Sequence, residues 1–462
     1  MLKRRNGIIY LGLIVISIIF VFFTMTDCGG GGTGIINPPV INTPSFVPST
    51  APTPTSSTGP ITPTTTPGSV NPTGLIQPSD FSYMGAFRLP EGSGGTDWTY
   101  SGAAMTCYPG GGLSGSSMGG SIFATGHPYL MYVSEISIPQ PVISSSKNVN
   151  ELNTAGTLQS FHDVRGGLFS EADGFDQSFL RTGMEYLPKQ GGQTSDKLYF
   201  SWGQHLQEGE TVPGHTWCEL NLASPQIAGP WSIAGRENYT TNDYIFSIPE
   251  DWGASNTPGK LLATGRFRDG GQGGQGPSIY AYGPWGQGNP PPPDTALQNI
   301  PLLQYESVYT EGGHTLNNYH HSDEWSGGAW LTADNKSAVI FAGTKGTGNC
   351  WYGFADGTVW PDEPPYPPEG EGERGWWSSG FKGEILFYNP SDLASVAKGT
   401  MEPYKPQPYA TMDIDQYLFH IQSGQQKYHL GAVSFDRSRG YLYIFEPFAD
   451  GEKPVIHVWK VI

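Results

Sequence analysis

The sequence predicts an all-β fold made from one repeated unit of antiparallel strands. Of its 462 residues, 64 are Gly and 40 are Pro, whereas only 14% are charged. Such a composition is rich in turns and poor in the charged surfaces typical of helices. The third observation is self-similarity, because a three-strand pattern recurs roughly every 75 residues from residue 79 onward.

Residues 1–28 have the organisation of an export signal. Three basic residues precede about 18 mostly apolar residues, and Cys28 follows directly before a run of glycines. In this position Cys28 resembles the lipidated cysteine of bacterial and archaeal lipoproteins, although Asp27 replaces the small residue of that pattern. The alternative is a retained transmembrane helix. Either arrangement places the rest of the chain on the extracellular face of the cell envelope, tethered to the membrane.

Residues 29–78 predict a disordered linker. From Gly29 to Ser79 there is no charged residue, and Pro, Thr and Ser predominate. A segment of this composition buries no core and behaves as a semi-extended spacer. We therefore expect it to display the domain at residues 79–462 at a distance on the order of 100 Å from the membrane.

Five segments of this domain share one order of elements: a strand rich in small residues, a turn, a second apolar strand, a loop and a third strand. They begin at Ser101, Arg181, Asp243, Gly327 and His429. The stretches "TLQSFHDV" and "PYATMDID" each supply a fourth strand before the next unit. Since four-stranded sheets repeated around an axis form a β-propeller, we predict a single propeller with five blades of four antiparallel strands. A β-sandwich or two small β domains are the alternatives.

The last unit lacks a fourth strand, and the chain ends directly after its third. Residues 81–90, "FSYMGAFRLP", alternate apolar and polar side chains and belong to no unit. We predict that they form the outer strand of blade five and close the ring, which leaves only short sheet edges exposed. In this architecture the chain resembles secreted or lipoprotein-type five-bladed β-propellers, although no named family's motifs match it.

Polar residues are found in every unit just before the first strand or just after the second. Both places lie at the same end of a blade, so these side chains are expected to gather at one mouth of the central channel. We predict ligand contacts from His127, His205, Arg266, Asp323, Lys345, His429 and Glu446. For any single residue the alternative is a structural hydrogen bond that fixes a loop.

Three carboxylates at this mouth suggest a catalytic role. Asp97, Asp243 and Glu324 come from blades one, three and four. In that respect the chain resembles glycoside hydrolases built on five-bladed propellers, whose acid, base and modulating carboxylates come from different blades. The resemblance implies one carboxyl group kept protonated near an ionised partner. Architecture alone does not determine function.

A long segment from Cys350 to Gly380 separates the second and third strands of unit four. We expect it to project at the mouth and to offer the flat faces of Trp376 and Trp377 to sugar rings. The alternative is a loop that packs on itself or plugs the channel.

The net charge and one acidic segment limit the classes of partner and cofactor that we expect. The net charge of −17 argues against nucleic acid and against anionic membrane surfaces, so we expect membrane contact only through the N-terminal anchor. Glu171, Asp173 and Asp176 offer oxygen ligands suited to calcium but lack EF-hand spacing, which makes calcium the only cofactor that the sequence suggests.

The sequence thus predicts a tethered surface propeller that binds a glycan or a surface protein at the polar mouth of its channel. The alternative is a carbohydrate-active hydrolase that uses carboxylates from different blades. The pattern neither identifies the ligand nor decides between the two.

Overall fold

The protein is described by a computed structural model that covers residues 74–112, 116–168, 180–204, 212–267, 274–306, 313–361, 364–367, 374–420 and 427–462. Its strands form five sheets arranged in a ring, the architecture of a five-bladed β-propeller. The predicted fold class and number of blades are confirmed. The predicted signal and lipidation site, Cys28, lie outside the described residues.

The described chain begins with two short strands that join later blades, and blades one and two follow. The two leading strands are β1 (Gly74–Leu75) and β2 (Phe81–Arg88). Blade one contains β3 (Met105–Tyr108), β4 (Ser121–Thr125), β5 (Val133–Ser137) and β6 (Thr157–His162). Blade two contains β7 (Leu180–Leu187), β8 (Lys197–Gln204), β9 (His215–Cys218) and β10 (Ala228–Ile233).

Blades three to five complete the ring. Blade three contains β11 (Tyr244–Ser247), β12 (Leu262–Gly265), β13 (Ser278–Tyr282) and β15 (Asn299–Gln304), while β14 (Ala296–Leu297) adds a parallel edge to blade two. Blade four contains β16 (Glu324–Ala333), β17 (Lys336–Gly353), β18 (Gly375–Tyr388) and β19 (Ala410–Asp413). Blade five contains β20 (Val433–Asp436), β21 (Tyr441–Asp450) and β22 (Lys453–Val461).

Helices are short and lie between the strands. Among the residues that the structure describes, the α-helices are α1 (Glu250–Asn256) and α2 (Pro390–Ala397). Single 3₁₀ turns span Pro78–Asp80, Val149–Glu151, Asn238–Thr240, Pro284–Gly286 and Asp415–Tyr417. Within the described part of the chain, no helix has both the length and the apolar character needed to cross a bilayer.

Tight turns fix the register of the inner hairpins. Between β16 and β17, Ala333 pairs with Lys336, and Asp334 adopts a positive φ of 48° in the two-residue turn. Between β20 and β21, the Asp436 carboxylate accepts hydrogen bonds from the backbone N–H groups of Ser438 and Arg439. Asp tolerates the left-handed region and caps its own turn, which is why these stretches, predicted as turns, end their strands where they do.

The first strand of each blade lines the central channel. The five inner strands, β3, β7, β11, β16 and β20, pack against one another in cyclic order. Glycines permit the close approach: a Cβ atom at Gly183 would lie 2.5 Å from the backbone N of Ile245, and one at Gly431 would lie 2.4 Å from the carbonyl O of Gly102. The small residues in the inner strands are therefore required by the narrowness of the channel.

The core consists of apolar layers between neighbouring blades. Adjacent residues of one strand face opposite neighbours, as Ile122 and Phe123 of β4 do, so each blade is buried on both faces. The five junctions are represented by Phe123 and Phe200, Tyr199 and Ile245, Phe246 and Phe341, Ile340 and Ile444, and Ile456 and Ile122. Burial on both faces explains the continuous apolar runs in the middle strands.

Strand β2 closes the ring, as predicted. It pairs antiparallel with β22 from Phe81 opposite Val461 to Arg88 opposite Val455. Blade five is therefore built from both ends of the domain, and its sheet order is β2, β22, β21, β20. The last strand of the chain consequently has a hydrogen-bonded partner on each side.

Candidate functional site

An ion pair crosses the mouth of the channel, which we define as the end where the five inner strands begin. Arg181 is the second residue of β7 in blade two, and Glu324 is the first residue of β16 in blade four. Arg181 Nη2 lies 3.0 Å from Glu324 Oε1, and the two side chains are 27% and 21% exposed. This ion pair is therefore accessible to a ligand from the mouth.

Blade three contributes a second, buried ion pair. Asp243 precedes β11 and Arg266 follows β12, and Arg266 Nε lies 3.6 Å from Asp243 Oδ2. The Arg266 guanidinium stacks 3.4 Å from the Tyr239 ring centroid and donates to the Tyr239 carbonyl at 3.1 Å. Although burial by itself lowers it, the charges of Glu324 and Asp243 raise the pKa of Arg181 above its usual value. The mouth thus holds two arginines and two carboxylates as a compensated cluster.

The three predicted catalytic carboxylates do not share one environment. Asp97 is exposed, and a hydrogen bond from the Thr99 N–H lowers its pKa. Asp243 and Glu324 instead face arginines at the mouth. Each of the three carboxylates thus has a hydrogen-bond donor or a cation beside it. Their catalytic role stays a prediction.

Blade four contains a buried carboxylate beside the mouth. Both oxygens of Asp323 lie about 3 Å from Lys345 Nζ, at 3.0 and 2.9 Å, and Asp323 is 1% exposed. Burial raises the pKa of Asp323 to about 6, against the opposing charge of Lys345. Lys345 lies inside β17 and not after it, because this strand continues to Gly353.

Four of the predicted ligand contacts are buried and make structural contacts. Arg266, Asp323, His429 and Glu446 are each at most 2% exposed. His429 Nδ1 lies 3.3 Å from Asp415 Oδ1, and its backbone N–H donates to Thr344. Their part in ligand binding stays a prediction, and so does that of His205, which lies outside the described residues. The predicted calcium ligands Glu171, Asp173 and Asp176 also lie outside them.

Glu446 belongs to a buried relay in blade five. Its carboxylate accepts hydrogen bonds from the Phe419 and His420 N–H groups, and it lies 2.7 Å from His457 Nε2. His457 Nδ1 lies 2.9 Å from the hydroxyl of Tyr83 in β2. Burial, followed by the charge of Glu446, raises the pKa of Tyr83. The relay connects the ring-closing strand with the segment that precedes β20.

The segment expected to be a loop between Cys350 and Gly380 is in part a strand hairpin. Strands β17 and β18 stay paired as far as Gly353 opposite Gly375, so the expectation of one long loop was wrong at both ends of the segment. We call the part from Cys350 to Gly353 and from Gly375 to Gly380 the aromatic hairpin. Tyr352 and Trp376 form a cross-strand aromatic contact in the added part, with ring centroids 5.4 Å apart, and such contacts favour an extended ladder over a loop.

Each face of the aromatic hairpin carries a pair of half-buried rings. Trp351 is opposite Trp377 on one face, and Tyr352 is opposite Trp376 on the other. Lys427 Nζ lies 3.8 Å from the Trp377 ring centroid. All four rings keep part of their surface in solvent. The glutamates at the tip of this segment lie outside the described residues.

The second face of the aromatic hairpin packs on the residues before β16. His321 stacks on Trp376 with ring centroids 4.5 Å apart, and His320 Nδ1 lies 3.0 Å from Ser378 Oγ. Burial, followed by the charge of Lys345, lowers the pKa of His320. The two histidines lie in the turn before β16, in which the Asp323 N–H donates to the His320 carbonyl at 2.9 Å.

At the opposite end of the channel two charged residues that the sequence analysis did not single out, Glu185 and Arg437, both contact Ser247. Glu185 of β7 accepts from the Ser247 N–H at 2.9 Å, and Arg437 donates to the Ser247 side chain and carbonyl. The cavity between them measures about 10 Å³, which is room for one water at most. Burial raises the pKa of Glu185.

A sequence signal for these residues exists. Arg181, Gly183 and Glu185 follow one another at every second position of β7, and such residues line one face of a strand. Polar or small residues with this spacing in the first strand of a blade indicate the channel wall. The prediction considered only residues beyond the strand ends, so it missed both charges.

Comparison with known proteins gives no assignment: no protein-family model matches the chain, and neither does any curated protein. Within the described ranges, no group of three or more His, Cys, Asp or Glu side chains is arranged to hold a metal ion.

Proposed function

We propose that this propeller is a glycan-binding module whose ligand lies against the aromatic hairpin and the mouth of the channel. The fold fits a binding or scaffold role, since a closed ring holds side chains from several blades in fixed positions. The observation that carries the choice of a glycan is the set of half-buried Trp and Tyr rings on the hairpin, each of which keeps part of its surface in solvent.

Aromatic rings suit sugars for a physical reason. Their faces are apolar and carry partial negative charge, so they attract the C–H groups on the flat side of a pyranose ring. The rings of Trp351 and Trp377 are held by strand pairing, which lowers the entropic cost of ordering them on binding. The Arg181–Glu324 pair at the mouth offers donors and acceptors to hydroxyl groups.

Binding is better supported than hydrolysis. A glycoside hydrolase needs one carboxyl group kept protonated near an ionised one. Here Glu324 contacts Arg181, Asp243 faces Arg266, and Asp97 is exposed with a lowered pKa. None of these contacts with a cation or a donor is of the kind that raises the pKa of a carboxyl group and keeps it protonated.

Titration of the purified domain with oligosaccharides tests the proposal. We expect Trp377→Ala to weaken glycan binding about tenfold, because it removes the aromatic ring on which a sugar stacks. Tyr108→Ala is the matched control. This half-buried aromatic residue is the last of β3 and so lies away from the mouth, and we expect its loss to leave binding unchanged. Equal affinities of wild type and Trp377→Ala would contradict the proposed site. Release of shorter sugars would support the hydrolase hypothesis instead.

We also propose that the domain is displayed at the extracellular face on the predicted linker of residues 29–78, whose residues Gly74–Leu75 form β1 against blade four. The basic, apolar and cysteine-containing segment before it supports this location. The proposal predicts that Cys28→Ser abolishes incorporation of a labelled fatty acid and releases the protein from the membrane fraction. A variant that stays in the membrane would indicate a retained helix, and a wild-type protein found in the cytoplasm would overturn the proposal.

A further inference from the structure

A second group of aromatic side chains lies at the mouth face of blades five and one, apart from the aromatic hairpin. It consists of Tyr100, His127, His420 and Phe448, which we call the rim cluster. The Tyr100 ring centroid lies 6.1 Å from that of Phe448 and 5.8 Å from that of His127. His420 completes the group, 6.2 Å from Phe448.

The backbone is strained at the two aromatic residues at the centre of this cluster. Tyr100 has a φ of 58° and Phe448 a φ of 61°, values that bulky residues rarely adopt. Phe448 lies where the pairing of β21 with β22 is irregular, between Glu446 and Asp450. Strain of this kind persists where a side chain is needed in one position, and it concentrates at binding sites.

Burial does not explain why Tyr100 occupies its position. Its side chain is 47% exposed, so the ring adds little apolar burial to offset the unfavourable φ. The backbone N–H of Tyr100 donates to the Glu452 carbonyl at 2.7 Å, and its hydroxyl donates to the exposed Glu452 carboxylate, so the ring is held in place at the surface. Gly or Asn would suit this conformation better.

The cluster also offers polar groups suited to hydroxyls. His127 Nδ1 accepts from the Tyr129 N–H at 3.1 Å, so the ring nitrogen Nε2 is the one that carries the proton in the neutral form. His127 is half-buried, and its backbone N–H donates to the carbonyl of Asp97. An exposed ring beside a fixed imidazole donor is the combination that binds a sugar ring from its face and its edge.

We propose that the rim cluster is a second sugar-binding subsite, so that the ligand is an oligosaccharide or polysaccharide chain and not a single terminal sugar. This inference rests on the proposed function of the aromatic hairpin. Lys427, which lies beside Trp377, is in the segment that precedes β20. Both subsites lie beyond the strand ends at the mouth, because the aromatic hairpin extends β17 and β18 past the pair of Glu324 with Thr344, and Tyr100 precedes β3. One chain that crosses blade five contacts both.

The test compares short and long probes: the disaccharides and hexasaccharides of the cello, xylo, chito and manno series, titrated into the domain. We expect Tyr100→Gly to weaken hexasaccharide binding about tenfold and to leave disaccharide binding at the hairpin unchanged. The matched control is Asp334→Gly, which replaces another residue with a positive φ, 48°, in the turn between β16 and β17. We expect this change to leave both affinities unchanged. Tyr100→Asn repeats the test with a residue that tolerates this φ.

Each outcome separates the two proposals. If Tyr100→Gly and Tyr100→Asn bind the hexasaccharide as wild type does, the rim subsite is overturned while the hairpin site stands. If Trp377→Ala changes neither affinity, the hairpin site fails independently of the rim. A wild-type domain that binds none of the probes overturns both. Because a purely structural Tyr100 would lower the melting temperature when removed, unchanged melting together with lost hexasaccharide affinity supports the subsite.

Discussion

Removal of the Phe87 side chain is expected to weaken the whole ring and not blade five alone. Phe87 lies in β2, opposite Ile456 of the last strand, and is 0% exposed. Its ring packs in the layer between blades five and one, together with Ile122 and Ile136. Phe87→Ala leaves a cavity where the backbone cannot collapse, so we expect a loss of about 3 to 5 kcal/mol in the free energy of unfolding.

Urea unfolding followed by tryptophan fluorescence and near-ultraviolet circular dichroism measures this loss. Ser82→Ala is the control, because Ser82 lies on the same strand with an exposed side chain and its change costs under about 0.5 kcal/mol. The two optical signals should change together, since closure couples all five blades. A loss below about 1 kcal/mol for Phe87→Ala, or an early separate transition, would refute the view that β2 is an integral part of the ring.

A chain that starts at residue 89 provides a second test of the pairing between β2 and β22, which is the seam of the ring. It lacks β2 and leaves the edge of β22 without a partner. Exposed strand edges pair with other molecules, so we expect this chain to aggregate at concentrations where the full domain is monodisperse by size-exclusion chromatography. A soluble, cooperatively folding product would show that the seam is dispensable.

Three further predictions concern buried groups. Glu446→Ala removes one partner of the buried pair with His457 and should cost about 3 to 5 kcal/mol in chemical unfolding. Folding raises the pKa of Asp323 from 3.8 to about 6, so the protonated side chain stabilises the folded state. This contribution to the free energy of unfolding, about 3 kcal/mol, is fully present below pH 3.8 and is lost as the pH rises through 6. Asp323→Asn should therefore flatten the pH dependence of stability between pH 4 and 7, and an unchanged slope would contradict the assignment. Gly183→Ala forces a Cβ atom to within 2.5 Å of the Ile245 nitrogen and should cost about 1 to 3 kcal/mol in urea unfolding.

The fold was predictable from the local sequence pattern because each blade repeats the same order of strands and turns. Turns at Asp334 and Asp436, alternation in β2 and apolar middle strands all follow from nearest-neighbour chemistry. Ring closure followed from a single unpaired strand at each end of the domain. These features need no knowledge of distances between blades.

The site was less predictable because it depends on which side chains become buried. Arg266 and Glu446 occupy the expected end of their blades, yet both lie inside the protein with fixed partners. The pairing of Trp351 with Trp377 extends a hairpin into the segment from Cys350 to Gly380 that was expected to be a loop. The positive φ of Tyr100 has no signature in the sequence, since bulky residues rarely adopt it.

Joining both ends of the domain in one blade also determines how the molecule carries a mechanical load. A pull on the chain before residue 74 first meets β1, which pairs with Lys336 and Ser337 of blade four. It then meets the contact between Lys336 Nζ and Asp80 at 2.7 Å, and only afterwards reaches the first rung of β2 at Phe81. The pairing of β1 with β17 and the Lys336–Asp80 ion pair therefore break before β2 separates from β22. They distribute the force over blades four and five instead of one strand.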